Sequence, residues 1–448
     1  MRDLFLAPLL LAILFQTFRT PSIGVLGWTW LTLMTPQKLI WGVLSSMPLN
    51  LILALATLGM VLFTRDKKRL PANITITLWM LFIAMMTFTT ITALNPSISW
   101  VIWNRVVKVM LLGLLVPVLM VSQRRIHALI WVIAMCLGYF GIKGGIFTLT
   151  IGGGGGHVVG PPDSQLIDNN NLALALCMSL PLMNYLRLQA STRFVRNGML
   201  AGMIGTTFGA LGTFSRGGMV GLGVMALYLW WKSPRKVSLA LGILAVVIPA
   251  YMFMPASWYD RMGTLKDASN QGTFLQRLDS WTVNTNIAIA RPFTGAGFSA
   301  TDDPNTYRRY AYGKSIFTDQ DGQTGGHAAH SIYFETLGDH GFVGCGLYFA
   351  MLLSALGVLR RVRKAAKNIP DLAWADNLVN MMQVSFLAFF VSGIALSMAY
   401  YDLVFLFIGI ALALDKIVKE YKNKPAETGK PTKIAAPSGK WRAPAHAV

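Results

Sequence analysis

Long apolar runs separated by polar connections dominate the sequence. Most runs are about 15 to 25 residues long, the length that an α-helix needs to cross ~30 Å of hydrocarbon. The alternating segments of roughly 10 residues that build a membrane β-barrel do not occur. The pattern therefore predicts an all-α polytopic membrane protein with helices in the runs 3–18, 22–35, 42–63, 74–94, 105–121, 126–150, 171–188, 196–214, 217–232, 236–254, 333–359, 377–398 and 401–418.

The connections between these runs alternate in charge. The basic connections are 65–69, 124–125, 187–196, 232–236, 360–367 and the segment after Lys416. The connections poor in Lys and Arg are 95–104, 151–170, the turn at Ser215, 255–332 and 399–402. Because cytoplasmic loops of membrane proteins are enriched in Lys and Arg, the first set is predicted to face the cytoplasm and the second the opposite side.

The first two runs leave the number of crossings open, because they form either two crossings or one. The second run is short, so we expect about twelve membrane helices with both chain ends in the cytoplasm. Met1–Phe18 has an apolar core like a signal peptide, but no small-residue cleavage site follows it, and we expect it to stay as a membrane helix.

These runs divide the chain into four predicted regions. They are the transmembrane helices of 1–254 (nine or ten of them), a long periplasmic loop at 255–332, C-terminal transmembrane helices at 333–421 and a disordered basic tail at 422–448. The long loop exceeds ordinary connection lengths, which indicates a functional role. Within it, 272–290 is predicted to be helical. The glycine run 152–156 has no assigned role.

Composition supports a membrane protein over a soluble one. Hydrophobic residues make up 54% of the chain and charged residues 13%, against about 25% charged in soluble proteins. The net charge of +20 arises from short clusters between apolar runs, which argues against nucleic acid as a partner. The three cysteines lie in apolar stretches without paired spacing, so neither a disulfide framework nor a zinc site is expected.

Several cations fall at the predicted outer ends of helices, against the general bias. They are Arg105, Lys143 and Arg216. Charges at membrane depth are costly and tend to mark functional sites, although snorkelling to the headgroups remains an alternative for Arg105 and Lys143. Arg216 precedes Gly217 and Gly218, whose amides open a helix and favour an anion. Arg216 is therefore a candidate phosphate ligand.

The long loop adds further candidate residues. Arg277 lies one helical turn before Trp281, on the same face of the predicted helix. His327 and His330 stand three residues apart where the loop meets the next apolar run. A general base, an interfacial residue and, together with a carboxylate, a metal ligand remain open roles for the histidines.

Together these motifs resemble the O-antigen ligase and polymerase superfamily of bacterial membrane enzymes. The motifs are 215–218, Arg277 with Trp281, 292–297, and His330 to Tyr333 running on to Gly341 and Gly344. The resemblance covers about 200–345, and the stretch 143–170 is similar to the branch described as O-glycosylation ligases. Ser331 follows His330 where the family usually has Asn.

The resemblance implies a fold of about twelve helices related to the membrane-embedded GT-C-type glycosyltransferases, with a helix-containing periplasmic loop. It implies a metal-independent, inverting transfer without a cofactor. Arg216 and Arg277 would hold the pyrophosphate of the donor, and the positions of Arg105 and Lys143 at predicted outer helix ends make them further candidate ligands. His330 would deprotonate the acceptor hydroxyl, with His327 as the competing assignment. His327, Trp281 and Asn170 would support the site.

The implied activity is that of an O-antigen ligase in the bacterial inner membrane, with its active site facing the periplasm. Its partners would be an undecaprenyl-pyrophosphate-linked glycan donor, a lipid A-core acceptor and membrane lipid. A polymerase that extends the glycan on its carrier and a protein O-glycosylation ligase remain alternatives with the same donor. A transporter of the lipid-linked glycan is the alternative from another class, but the sequence has no internal repeat and its unusual cations cluster toward one face.

Overall fold

The helices follow the predicted apolar runs. A computed structural model of the chain describes residues 2–40, 42–63, 70–151, 156–253, 258–259, 272–312 and 325–423. The helices of the first half are α1 Arg2–Arg19, α2 Pro21–Met34, α3 Val43–Ser46, α4 Leu49–Phe63, α5 Ile74–Ile91, α6 Pro96–Leu119, α7 Gln123–Ile151, α8 Asn169–Leu188, α9 Arg193–Leu211, α10 Arg216–Lys232 and α11 Lys236–Phe253. Those of the second half are α12 Gly272–Ala290, α13 Pro304–Tyr310, α14 Ile332–Ala366, α15 Ala373–Ser392 and α16 Asp402–Lys422. The all-α class is confirmed.

Some sequence predictions lie outside the described residues. They are the basic connection 65–69, most of the glycine run at 152–155, parts of the long loop and the tail from 424 onward. The predicted helix at 272–290 coincides with α12.

Five described helices are long and apolar enough to cross a membrane. They are Ile74–Ile91, Pro96–Leu119, Gln123–Thr150, Ile332–Ala366 and Pro370–Ala395. Shorter apolar helices occur at Leu6–Arg19, Leu49–Phe63 and Lys236–Pro249. These helices indicate an integral membrane protein. The total of about twelve crossings, the long loop as a periplasmic element and the likeness to GT-C-type enzymes stay predictions.

Polar side chains fix where the helices begin near the site. The Asp168 carboxylate accepts hydrogen bonds from the amides of Asn170 and Asn171, at 2.9 and 3.1 Å, and so caps α8. The Ser215 hydroxyl accepts from the amide of Gly218 at 3.1 Å and caps α10. A side-chain oxygen at this position satisfies amides that have no partner inside the helix.

α16 is the central helix. Its residues from Asp402 to Asp415 are buried, and it packs against α6 and α14. A helix that is apolar around its whole circumference is stable only when other helices surround it. The turn that precedes α16, residues 393–401, is held by the buried Tyr348, whose hydroxyl donates to the carbonyl oxygen of Ala399.

Small residues allow α7 and α9 to pack closely. A Cβ atom added at Gly145 would lie 2.1 Å from the carbonyl oxygen of Gly205, and one added at Gly209 would lie 2.3 Å from that of Gly141. Only glycine permits such backbone contact, which is the usual way in which helices associate inside membranes.

α14 is not the single straight helix that its apolar run predicts. Gly341 has φ of +66°, and the chain reverses there, so that 332–340 lies beside the turns that follow. The rings of Tyr333 and Phe349 stack with centroids 5.0 Å apart, whereas sixteen residues of straight helix span about 24 Å. Periodicity could not reveal this break because both parts are apolar.

The loop after α12 holds this reversal in place. The Phe342 amide donates to the carbonyl oxygen of Pro292 at 2.9 Å, and a Cβ at Gly341 would lie 2.4 Å from that oxygen. The buried Asp339 then joins three segments, because its carboxylate accepts from the Ser299 amide at 3.1 Å and from the Tyr400 hydroxyl at 2.8 Å.

Candidate active site

Two of the segments predicted to face the outer side, 151–170 and 399–402, contribute residues to one cavity. It has a volume of about 100 Å³ and lies between α6, the start of α8, the start of α14 and the turn 393–401. Its lining residues are Arg105, Gln165, Asn171, Glu335, Ser397, Met398, Tyr400 and Tyr401. The side of the membrane on which the cavity opens stays a prediction.

His330 lies at the edge of this cavity. Its amide donates a hydrogen bond of 2.7 Å to the hydroxyl of Ser397, which lines the cavity. The His330 backbone has φ of +47°, in the left-handed region that side-chain-bearing residues adopt infrequently. Such conformations persist where the surrounding structure imposes them, often at functional sites. Part of His330 is exposed to solvent, although the surrounding protein desolvates its imidazole.

Neighbouring charges and burial set the basicity of His330. Desolvation by the surrounding protein lowers the pKa of its imidazole, and the Arg277 guanidinium lowers it further. The charge of Asp168 raises this pKa, and that of His327 lowers it. A lowered pKa keeps the imidazole neutral near pH 7, which is the state a general base requires.

α12 brings two predicted residues to the same place. The ring of Trp281 stacks on that of Phe334 with centroids 4.9 Å apart and planes 11° apart. Arg277, one turn earlier and half-buried, acts on His330 by its charge. α12 therefore lies over the start of α14, with its cation beside the candidate base.

Arg216 lies near the segment that leads into the turn 393–401. It is the first residue of α10 and half-buried. A Cβ at the adjacent Gly217 would lie 3.7 Å from the carbonyl oxygen of Ser392, so this helix end faces the segment leading to Ser397. The Gly218 amide was predicted to favour an anion, but it already donates a hydrogen bond to the Ser215 hydroxyl. A Cβ atom added at Gly218 would lie 2.5 Å from the Cβ atom of Ala173. The Gly218 position thus serves helix packing.

Sequence comparison identifies the part of the chain that carries Arg216, Arg277 and His330. The O-antigen ligase family matches 201–349, about a third of the chain. Residues 201–349 form an O-antigen ligase domain. The resemblance to the superfamily is thereby confirmed, and the ligase branch is consistent with it. The domain implies ligase activity of the glycosyltransferase type on a lipid-linked glycan.

A different family model matches the preceding region. A family of unknown function (DUF5935) matches 1–191. No curated protein matches the chain. The cavity takes residues from both regions, because Arg105, Gln165 and Asn171 precede the O-antigen ligase domain and Glu335 lies within it.

The remaining cations predicted outside the domain differ in their surroundings. Arg105 lines the cavity, and its charge acts on the carboxyl groups of Glu335 and Asp402. Lys143 is exposed on α7, and within the described ranges no hydrogen bond or ion pair joins it to His330 or the cavity. Asn170 donates to the side chain of Asn169 at 3.2 Å.

His327 packs against a different part of the domain. Its ring contacts that of Tyr307 edge-on, with centroids 5.5 Å apart. Burial raises the pKa of the neighbouring Asp302, while a hydrogen bond from Ser299 and the charge of His327 lower it. In the part of the chain that the structure describes, no three His, Cys, Asp or Glu side chains are placed to hold a metal ion.

Sequence reasoning missed several residues of the site. Ser397 and Tyr401 carried no signal, because serine and tyrosine in an apolar turn are common. Glu335 and Asp402 did carry one, since acidic side chains within apolar runs are rare and tend to be functional. The sequence prediction considered only cations at helix ends, so it did not include the carboxylates of Glu335 and Asp402.

Proposed function

We propose that this protein is an O-antigen ligase that transfers a glycan from undecaprenyl pyrophosphate to lipid A-core oligosaccharide. The observation that carries the proposal is the position of His330 within an O-antigen ligase domain. Its amide is hydrogen-bonded to Ser397, and the charge of Arg277 lowers the pKa of its imidazole. The proposal places the protein in a bacterial inner membrane with this site on the periplasmic face. It requires neither a metal nor a cofactor.

In the proposed reaction an acceptor hydroxyl attacks the anomeric carbon of the donor sugar. His330 takes the hydroxyl proton as the new glycosidic bond forms, with inversion of configuration. The bond between the anomeric carbon and the phosphate oxygen breaks, and undecaprenyl pyrophosphate leaves with the electron pair. General-base catalysis of this kind contributes roughly 10²–10⁴-fold in rate.

Arg216 and Arg277 are the proposed ligands of the departing pyrophosphate. Negative charge grows on the phosphate oxygens as the bond breaks, and fixed cations stabilise that charge most when they are already in position. Arginine suits this role because its planar, permanently charged guanidinium presents paired donors to phosphate. Lys143 remains a proposed additional ligand, and Trp281, Asn170 and His327 supporting residues.

The test is glycan transfer by the purified full-length protein in detergent. The donor is undecaprenyl-pyrophosphate-linked O-antigen, the acceptor is rough lipopolysaccharide, and parallel reactions contain EDTA. We expect transfer by the wild type with and without EDTA, and loss by at least about 100-fold in His330→Ala. His327→Ala is the matched variant and should keep most of the activity.

The other outcomes separate the alternatives. Longer glycans on the carrier lipid without transfer to lipopolysaccharide would identify a polymerase. Glycan on a protein acceptor would identify an O-glycosylation ligase. Full activity of His330→Ala would overturn the proposed base, and loss in His327→Ala alone would move that role to His327.

A further inference from the structure

The cavity beside His330 has a lining unlike that of a phosphate site. It presents one guanidinium from Arg105, one carboxylate from Glu335, and the side-chain amides of Gln165 and Asn171. The rings of Tyr400 and Tyr401 and the side chain of Met398 add apolar surface. Amide, carboxylate and guanidinium groups each offer paired hydrogen-bonding atoms in a plane. This combination suits a ligand that carries both hydroxyl groups and an apolar face.

The cavity does not present an isolated cation. The Arg105 guanidinium is accompanied by the carboxyl group of Glu335 in the lining and by that of Asp402 nearby, and its charge acts on both. A pyrophosphate needs a surplus of positive charge, as Arg216 and Arg277 provide elsewhere in the site. The cavity therefore favours a neutral polar ligand over an anionic one.

Buried polar atoms at the cavity provide an independent observation. Tyr401 is 1% exposed, and neither its hydroxyl nor the Oε1 atom of Gln165 has a hydrogen-bond partner among the described residues. Buried polar groups are nearly always hydrogen-bonded in folded proteins, so such groups in a cavity lining point to a polar ligand. One of them donates and the other accepts, as sugar hydroxyls require of a binding site.

The cavity is also in the right position relative to the base. Ser397 both lines the cavity and accepts the hydrogen bond from the His330 amide. A sugar ring held in the cavity therefore lies next to the residue that carries the imidazole. Holding a reactant in this manner is a major source of catalytic rate.

We propose that this cavity binds a neutral sugar ring of one of the two glycan substrates. The proposal rests on the proposed function, and it gives Arg105 a role in sugar binding in place of the predicted phosphate contact. It also assigns a role to the region of unknown function, which supplies Arg105, Gln165 and Asn171 to the cavity. The domain carries the reaction, and the preceding region helps to select the sugar.

The test measures equilibrium binding of three probes to the purified full-length protein in detergent. They are undecaprenyl pyrophosphate without glycan, the same carrier with one O-antigen repeat, and rough lipopolysaccharide. The variants are Tyr401→Phe, which removes one hydroxyl, and Glu335→Gln, which removes one charge and keeps an acceptor for the Ala399 amide. Tyr185→Phe is the matched control, because Tyr185 is a buried tyrosine bonded to His127 and lies outside the cavity lining.

We expect both cavity variants to bind one sugar-bearing probe about five- to tenfold more weakly, the usual effect of one lost hydrogen bond. Weaker binding of the glycan-loaded carrier alone would identify the donor sugar, and weaker binding of lipopolysaccharide alone the acceptor sugar. Binding of the carrier without glycan should stay unchanged in both variants, and the control should bind all three probes like the wild type.

Two results would overturn the proposal. One is wild-type affinity of both cavity variants for both sugar-bearing probes. The other is a change in binding of the bare carrier, above all tighter binding by Glu335→Gln, because removing a carboxylate strengthens an anion site. Neither result depends on transfer, so failure of the proposed ligase reaction remains a separate finding.

Discussion

The amide of His330 donates a hydrogen bond of 2.7 Å to the hydroxyl of Ser397, across a distance of 67 residues in the chain. This contact fixes the backbone of the candidate base, which has φ of +47°, against the turn that lines the cavity. Ser397 is therefore a positioning residue for His330. It acts through the backbone and uses neither imidazole nitrogen.

Ser397→Ala tests that relationship. Removing the hydroxyl frees the left-handed segment to relax, and we expect kcat to fall about fivefold to tenfold, in line with the loss of one hydrogen bond. Binding of undecaprenyl pyrophosphate without glycan should not change. Ser397→Thr should restore most of the rate. Ser385→Ala is the control, because it removes a hydroxyl that bonds to the carbonyl of Met178 away from the cavity; an equal loss there would indicate a general structural effect.

The lowered pKa of His330 predicts a particular pH profile. The base works when neutral, so kcat/KM should fall with decreasing pH through a pKa below the ordinary 6.5 of the imidazole. Arg277→Gln removes a charge that lowers this pKa and should move the fall to higher pH. Asp168→Asn removes a charge that raises it and should move the fall to lower pH, while Asn still caps α8.

Rates measured between about pH 5 and 8 on the wild type and both variants test this prediction. Shifts in opposite directions identify His330 as the titrating base. Shifts in one direction, or a profile that persists in His330→Ala, would assign the titration to another group.

Helix positions followed from the sequence because they depend on local features. Apolar runs predicted the helices, 272–290 matched α12, and His330 fell just before α14 as expected. Contacts between segments far apart in the chain could not be predicted from the sequence. Nothing in the run 333–359 revealed the reversal at Gly341, since a single left-handed residue between two apolar helices leaves hydrophobic periodicity intact.

Different features of the sequence pointed to the candidate site residues. Arg105 and Arg216 were predicted because cations are unusual at their positions, Arg277 because it lies one turn before Trp281 in the long loop, and His330 because it fits the spacing of the family motifs. Their different surroundings depend on tertiary packing, which brings carboxylates to Arg105 and a histidine to Arg277. Lys143 carried the same signal as Arg105, yet it lies exposed on α7. The sequence identified the unusual charged residues, and the fold showed which of them lie near the cavity.

Arg216→Gln and Arg277→Gln test the proposed pyrophosphate ligands. Each removes a charged donor whose hydrogen bonds contribute about 1.5–3 kcal/mol, so binding of undecaprenyl pyrophosphate should weaken about 10- to 100-fold. Replacement by Lys should recover part of this affinity, because it keeps the charge and loses the planar pair of donors. Arg308→Gln is the control, as Arg308 is exposed and bonded to Asn305 within α13. Unchanged affinity in both site variants would remove these arginines from the phosphate site.

The stack of Trp281 on Phe334 should hold α12 over the start of α14. A double-mutant cycle with Trp281→Leu and Phe334→Leu, followed by thermal unfolding in detergent, should give a coupling free energy of about 0.5–1.5 kcal/mol. Both single variants should also lower the transfer rate, because Arg277 lies on the same helix. A coupling near zero would mean that other contacts position α12.

Asp339 should be among the residues most important for stability near the site. It is buried, and its carboxylate bonds the Ser299 amide and the Tyr400 hydroxyl. Asp339→Ala leaves both donors without their acceptor and should lower the free energy of unfolding by about 2–4 kcal/mol. Tyr400→Phe removes one donor and leaves the carboxylate bonded to Ser299, so its cost should be nearer 1 kcal/mol.

The double variant distinguishes this network from independent effects. With Tyr400→Phe already present, Asp339→Ala strands one donor instead of two, so its added cost should be smaller than in the wild type. Thermal unfolding in detergent measures all three variants on one scale. Asp163→Asn is the control, because Asp163 is exposed and its ion pair with Lys38 contributes at most about 1 kcal/mol. Strict additivity of the two buried substitutions would mean that Asp339 and Tyr400 stabilise the turn separately.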